Sequence, residues 1–346
     1  MMRLARVVFT SVLSMLVFAG AAGTPALGRE ARLAIYPAGL STDGGEHSLL
    51  PEEESLVEGD AVALYEKAGK TLPGELKTEQ ITDWLNMPIE QLPLRQAEAM
   101  LQQHMESLKL AARGARSKEC NWPQWKPGSA PDDQEHYREL AFIVALRARH
   151  EMAQGQYEGA VLTLQTGFGM ARHLGRAPTL LHTLIGAAVG GVMCAELEQF
   201  VQGENAPNLY HAFDRLPAPL VEVERAIENE TQAGLAKISN ETLRQQLERQ
   251  LGAAHNRARL VARRLDTNLA ALQCVEALRA YAASHKGSLP QKLSEIGDIP
   301  LPPDPFSDRP FEYERKGLGA VLASVVPSGG NEVDMTRYEI ALRRRD

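Results

Sequence analysis

The chain has 346 residues, with 37 Lys and Arg against 44 Asp and Glu, a formal net charge of −7, and three cysteines. That balance excludes a protein built to hold a polyanion, which needs clustered basic surface to release counterions. Dense basic runs occur only at residues 257–264, where a helical pattern makes them a solvated face, and at Arg343, Arg344 and Arg345 in the tail. Cys120, Cys194 and Cys274 have no Cys-x-x-Cys spacing, which argues against zinc and leaves at most one disulfide of undetermined pairing.

Arg3 and Arg6 precede an apolar run at residues 7–22, followed by the small residues Ala26, Leu27 and Gly28. The run is shorter than the roughly 20 residues a spanning helix needs, and the order of features is that of a secretory signal peptide. The expectation is an exported protein, periplasmic or extracellular, that meets a membrane only through residues 1–28. Residues 29–56 carry glycine, proline and an acidic run at Glu52, Glu53 and Glu54, and read as an irregular lead-in closed by a helix N-terminus.

From residue 57 to 253 apolar residues recur at helical spacing, cut by proline and glycine, which predicts a multi-helix body. Residues 93–116 read as one long amphipathic helix with Leu94, Ala97, Leu101, Met105, Leu108 and Ala112 on one stripe. Residues 140–174 predict a helical hairpin turning at Gly155, Gln156 and Tyr157. Residues 180–197 are apolar around most of the circumference, with Gly186 and Gly190 four apart; so short a run reads as a buried central helix whose glycines admit a neighbour. Residues 219–285 predict two further long helices, broken near Ser239 and Asn240 or near Gly252 and Ala253, with a stop at Gly287. Short strands follow at 311–314, 320–326 and 338–342.

The candidate chemistry is sparse. His150 and Glu151 are adjacent, so on a helix they point about 100 degrees apart and read, with His136, as solvated residues. His173 and His182, with Glu196 or Glu198, lack a metal-binding spacing; Glu222, Glu224, Glu228 and Glu230 read as a surface stripe interleaved with Arg225. Nucleophile elbows, Walker loops and dinucleotide fingerprints are absent. Trp122 and Trp125 stand in a proline-bounded loop, where they can stack on a ligand, and with Tyr157 they are the candidate ligand-binding residues.

Two resemblances follow from these residues. Ala148, Gly155, Tyr157 and Ala160 fall at positions matching a tetratricopeptide hairpin, so the body resembles one such repeat. The order Gly287, Leu289-Pro290, Pro302-Pro303-Asp304-Pro305-Phe306 and Phe311-Glu312-Tyr313 resembles the globular end of type II secretion major pseudopilins. That likeness implies a helix running into a small antiparallel sheet. The family's calcium loop lacks its Asp-Gly pair here, leaving Asn331, Glu332 and Asp334 as oxygen donors for a possible calcium; no other cofactor is implied. A signal peptide, helical body and such a tail together resemble a group of uncharacterised secreted bacterial proteins.

The expected fold is therefore mainly α, a repeat-like helical bundle (57–253) followed by a long helix and a small antiparallel sheet (254–346). The expected function is that of a non-enzymatic exported binding or scaffold protein for a protein, peptide or glycan, with no nucleic acid as partner. The alternatives are a hydrolase with a site around His150, His173 and Glu224, and an accessory part of a secretion or pilus-like assembly.

Overall fold

The computed structural model describes residues 30–41, 47–73, 77–123, 134–235, 240–297 and 299–344. The signal-peptide reading of residues 1–28 falls outside them. Ten α-helices and two small sheets lie among the described residues.

The chain enters with strand β1 (Glu30–Ile35), where an irregular lead-in was expected, and then β2 (Val57–Asp60). Helix α1 (Ala61–Lys70) starts where the Asp60 carboxylate accepts from the Val62 N–H, satisfying one of the first-turn donors. Helix α2 (Thr78–Asn86) follows. The stretch read as one amphipathic helix is two, α3 (Leu94–Gln103) and α4 (Met105–Ala115), parted at His104. His104 is buried, and its Nδ1 lies 2.8 Å from the Met100 carbonyl, engaging a free end of α3. Strand β3 (Ser117–Glu119) then pairs in parallel with β2.

Helices α5 (Glu135–Ala153) and α6 (Tyr157–Gly175) form the hairpin that the spacing predicts, and Gly155 supplies its turn at φ +72°, which favours glycine. Helix α7 (Leu180–Phe200) is capped by Thr179 and runs through the centre of the body, against α5, α6 and the later helices. By length and composition α7 could cross a membrane, but 67% of its apolar window is buried in this protein. Its glycines do what their spacing suggests. A Cβ at Gly186 would meet the Ala171 carbonyl oxygen at 2.7 Å, so α6 and α7 cross with backbones nearly touching.

After the short α8 (Tyr210–Asp214) come α9 (Val223–Leu235) and the 44-residue α10 (Glu241–Ser284). Of the two predicted breaks, Gly252 lies inside α10, which continues through it. Leu265, Leu272, Val275 and Leu278 on α10 are completely buried, and the helix stops at Gly287, φ +69°. Cys194 and Cys274 are buried free thiols and Cys120 is a half-buried one, so the one disulfide that the count allowed is not formed among them.

The tail strands β4 (Glu312–Lys316), β5 (Gly319–Ala323) and β6 (Arg337–Leu342) lie close to the predicted positions. The sheet is not purely antiparallel, however. Its order is β1-β6-β5-β4, and β1 adds in parallel to β6, Glu30 beside Arg337 through Ile35 beside Leu342. The short local pattern of β1 shows no alternation with a partner nearby, and its partner lies at the other end of the chain.

Two buried polar centres tie the sheet to the helices. Arg279 is wholly buried; it donates to both Glu276 oxygens and to the carbonyls of Tyr36, Ala206 and Pro207, so that α10 holds the exit of β1 and the loop after α7. Asp304, from the Pro-Pro-Asp-Pro-Phe segment, is also fully buried and accepts from the Phe306 and Val325 N–H groups and the Ser307 hydroxyl. It pins that segment to the end of β5.

Candidate ligand cleft

Where β1 and β6 approach the helical body, a cavity of about 570 Å³ opens between the sheet edge, the last turns of α5 and α7, the start of α6 and the turn after α2. Its position follows from chain chemistry. Pro88 ends the helical path after α2, so the last turn of α2 and the short 3-10 helix Ile89–Gln91 that follows Pro88 cross the helix ends and form one wall.

That wall is held by Arg149. Only 2% of its side chain is exposed; Nε and Nη2 donate to the two oxygens of Glu196 at 2.9 Å each, and Nη1 donates to the carbonyls of Trp84 at 3.2 Å and Met87 at 3.0 Å. Burial pushes the Glu196 carboxyl upward and Arg149 opposes it. The bidentate pair couples α5 to α7 and sets the turn at the cleft wall.

The mouth carries aromatic rings and charges of both signs, Arg32 and Arg343 with Glu90 and Glu204 among its lining. Tyr157, at the first position of α6, stands edge-on to Phe200 with centroids 5.4 Å apart, and burial raises its phenol pKa. A Cβ at position 203 would lie 2.2 Å from the Tyr157 hydroxyl, so Gly203 makes the room for this ring. Across the mouth the Arg343 guanidinium sits 5.9 Å from the Tyr36 ring centroid, and Arg32 pairs with Glu339 at 3.0 Å on the exposed side. Gln199, Gln202 and Asn86 line the interior.

A second cavity of about 410 Å³ continues along β1, lined by Glu30, Ala31, Arg32 and Leu33 facing Glu198, Gln199 and Gln202. Arg32, Gln199 and Gln202 belong to both cavities, which makes one groove along the free edge of β1.

The sequence-predicted site residues separate. Tyr157 lies in the cleft. Trp122 sits at the opposite end of α6, a 19-residue helix roughly 28 Å long, where its Nε1 donates to the His173 carbonyl at 3.0 Å and its ring packs 4.6 Å from that of His182. Trp125 falls outside the described residues. Asp334 is paired with Arg264 at 2.8 Å and accepts from the Asn331 N–H, while Glu332 is exposed; no group of three or more His, Cys, Asp or Glu suited to a metal occurs among the described residues.

The residues of the hydrolase alternative are likewise not joined. Glu224 is held by Arg259 through both oxygens, at 2.7 and 2.9 Å, and this hydrogen bonding lowers its pKa. His173 lies 2.9 Å from the Tyr65 hydroxyl, and burial lowers its pKa to about 4. His150 and Glu151 are not solvated, because other helices enclose α5 on several sides; both are buried, with Glu151 accepting from Arg147 at 2.9 Å and Thr163 at 2.6 Å. Glu230 also departs from the surface stripe, accepting from the Leu180 N–H at the start of α7.

Sequence reasoning missed Arg149, Tyr36, Arg32, Gln202 and Arg343 as cleft residues. For Arg149 a signal existed, an arginine within the apolar run of α5, since a charge there must find a partner. No family model, curated protein or solved structure matches the chain.

Proposed function

We propose that this chain is an exported, non-enzymatic binding protein whose ligand seats in the cleft between the β1–β6 edge and the helical body. The observation that carries this reading is the cleft itself. It has the volume of a small-ligand site, a wall fixed by a buried bidentate ion pair, and polar and aromatic side chains converging on its interior. The helical body acts as the scaffold that aligns these groups. The pseudopilin-like sequence order of the tail supports a role for the sheet as a cap that completes the site, and the pattern of residues 1–28 supports export.

The test is a calorimetric and thermal-shift survey of small organic acids, oligosaccharides and short peptides, run on the native chain and on Ala195→Trp. Ala195 lines the cleft on α7, and an indole there intrudes into it. A ligand that binds the native chain and is lost in a variant with unchanged circular dichroism supports the reading. Binding that Ala195→Trp leaves intact, or no binding at all, overturns it.

A further inference from the structure

The groove beside β1 has the form of a missing strand. In the parallel ladder with β6, the Ile35 carbonyl accepts from the Arg343 N–H, so residues 31, 33 and 35 direct their backbone groups inward to β6. Residues 30, 32 and 34 direct theirs outward, into the groove. The Ala34 N–H proves the direction, because its acceptor is the side-chain carbonyl of Gln202 at 3.1 Å. Gln202 is itself tethered, its Nε2 donating to the Glu198 carbonyl at 2.8 Å. A glutamine amide thus occupies the place where the peptide carbonyl of a neighbouring strand would sit. At Arg32 no backbone or side-chain acceptor fills the corresponding place among the described residues.

Open sheet edges are usually blunted by charge, by proline or by cover. Here the first half carries the charged side chains of Glu30 and Arg32, which pair with Arg337 and Glu339 of β6, while among the described residues its outward backbone groups border a cavity. From Glu30 to Tyr36 the edge runs roughly 20 Å, the length of about six extended residues. The groove ends at the larger cavity, where the Arg343 guanidinium lies 5.9 Å from the Tyr36 ring centroid and has no carboxylate within ion-pair distance among the described residues.

We infer that the ligand is an extended peptide carrying an acidic residue, which adds to the sheet as a fifth strand along β1 and places its carboxylate at Arg343. Main-chain hydrogen bonds to Arg32 supply affinity, and the cleft with Tyr36, Tyr157 and Arg343 supplies selection. Gln202 guards the edge in the empty protein and yields its place at Ala34 as the peptide enters. The inference rests on the cleft being the ligand site.

The experiment uses the full chain and a pooled library of randomised hexapeptides, with bound species read by mass spectrometry. Peptides enriched in Asp or Glu at one end are expected. For the best of them, methylating alternate backbone nitrogens should weaken binding about tenfold, as should Arg32→Pro relative to Arg32→Ala, since proline removes the outward N–H and leaves the β6 ladder intact. Gln202→Ala, which clears the edge, should tighten binding several-fold, and Arg343→Ala should abolish the acidic preference. Peptides that bind with equal strength after backbone methylation and in Arg32→Pro overturn strand addition. No enriched peptide, alongside a small acid or sugar that Ala195→Trp excludes, overturns the peptide while leaving the cleft reading standing. No ligand of any kind overturns both.

Discussion

Removing either member of the Arg149–Glu196 pair should be among the most damaging single changes in this protein. Both side chains are 2% exposed, and each is the other's charge partner. Breaking a buried pair from one side typically costs 3–5 kcal/mol, so Arg149→Met and Glu196→Leu are each expected to lose about 4 kcal/mol at neutral pH. The double variant Arg149→Met/Glu196→Leu strands no charge. What it still loses is the pair of donors to the Trp84 and Met87 carbonyls, about 1 kcal/mol each, so a total near 2 kcal/mol is expected. Arg149→Met alone carries a further signature. Without its arginine, the Glu196 carboxyl is raised further by burial, so the folded state holds a proton that the unfolded state releases. The loss should therefore be small below the ordinary carboxylate range and grow as the pH rises through it. Urea unfolding of the four chains at pH 4 and pH 7 measures all of this. A double variant as unstable as the two single losses combined, or an Arg149→Met loss independent of pH, would refute the reasoning.

Three other outcomes are expected. Burial raises the Asp266 carboxyl from its ordinary 3.8 to about 6 while it accepts from the Leu220 N–H, so the wild type gives up about 3 kcal/mol as pH climbs from 3.8 to 6; Asp266→Asn keeps the acceptor and should be more stable by about that amount at pH 8 and equal near pH 3, by urea melts. Gly186→Ala, despite a better helix propensity, should destabilise by about 1–3 kcal/mol because the new methyl meets backbone of α6, not a movable side chain; a rise in Tm would count against the close crossing. Asp304→Ala should cost about 2–4 kcal/mol by leaving the Phe306 and Val325 N–H groups buried without an acceptor, and Asp304→Asn should restore part of it; equal losses in the two variants, measured by calorimetry, would show that the carboxylate oxygens are not what pins the tail.

Elements whose partners are local were readable in the residues. The α5–α6 hairpin, the buried α7 and the stop of α10 at Gly287 each carry their cause within a few turns, as periodicity, small residues at a crossing, or a glycine that accepts positive φ. The break at His104 was not, because the stripe from Leu94 to Ala112 runs through it without interruption and the cause is a buried imidazole engaging the end of α3. Strand β1 escaped for a different reason. Its pairing is with residues some three hundred positions away, and nothing in six residues states a partner at that distance. The cleft was only partly legible on the same grounds: Tyr157 stood out as an aromatic at a turn, whereas Arg32, Tyr36 and Arg343 become neighbours only when the two strands meet.

The parallel pairing of Glu30–Ile35 with Arg337–Leu342 also makes the groove depend on the chain between them. Residues 307 positions apart, such as Arg32 and Glu339, cannot find each other cheaply in an open chain; closing such a loop costs about 5 kcal/mol of chain entropy beyond a fixed term. In the folded chain the intervening helices span that distance by packing against α7. The groove beside β1 therefore exists only where the two distant strands are held together, so anything that loosens the helices between them also takes the groove apart.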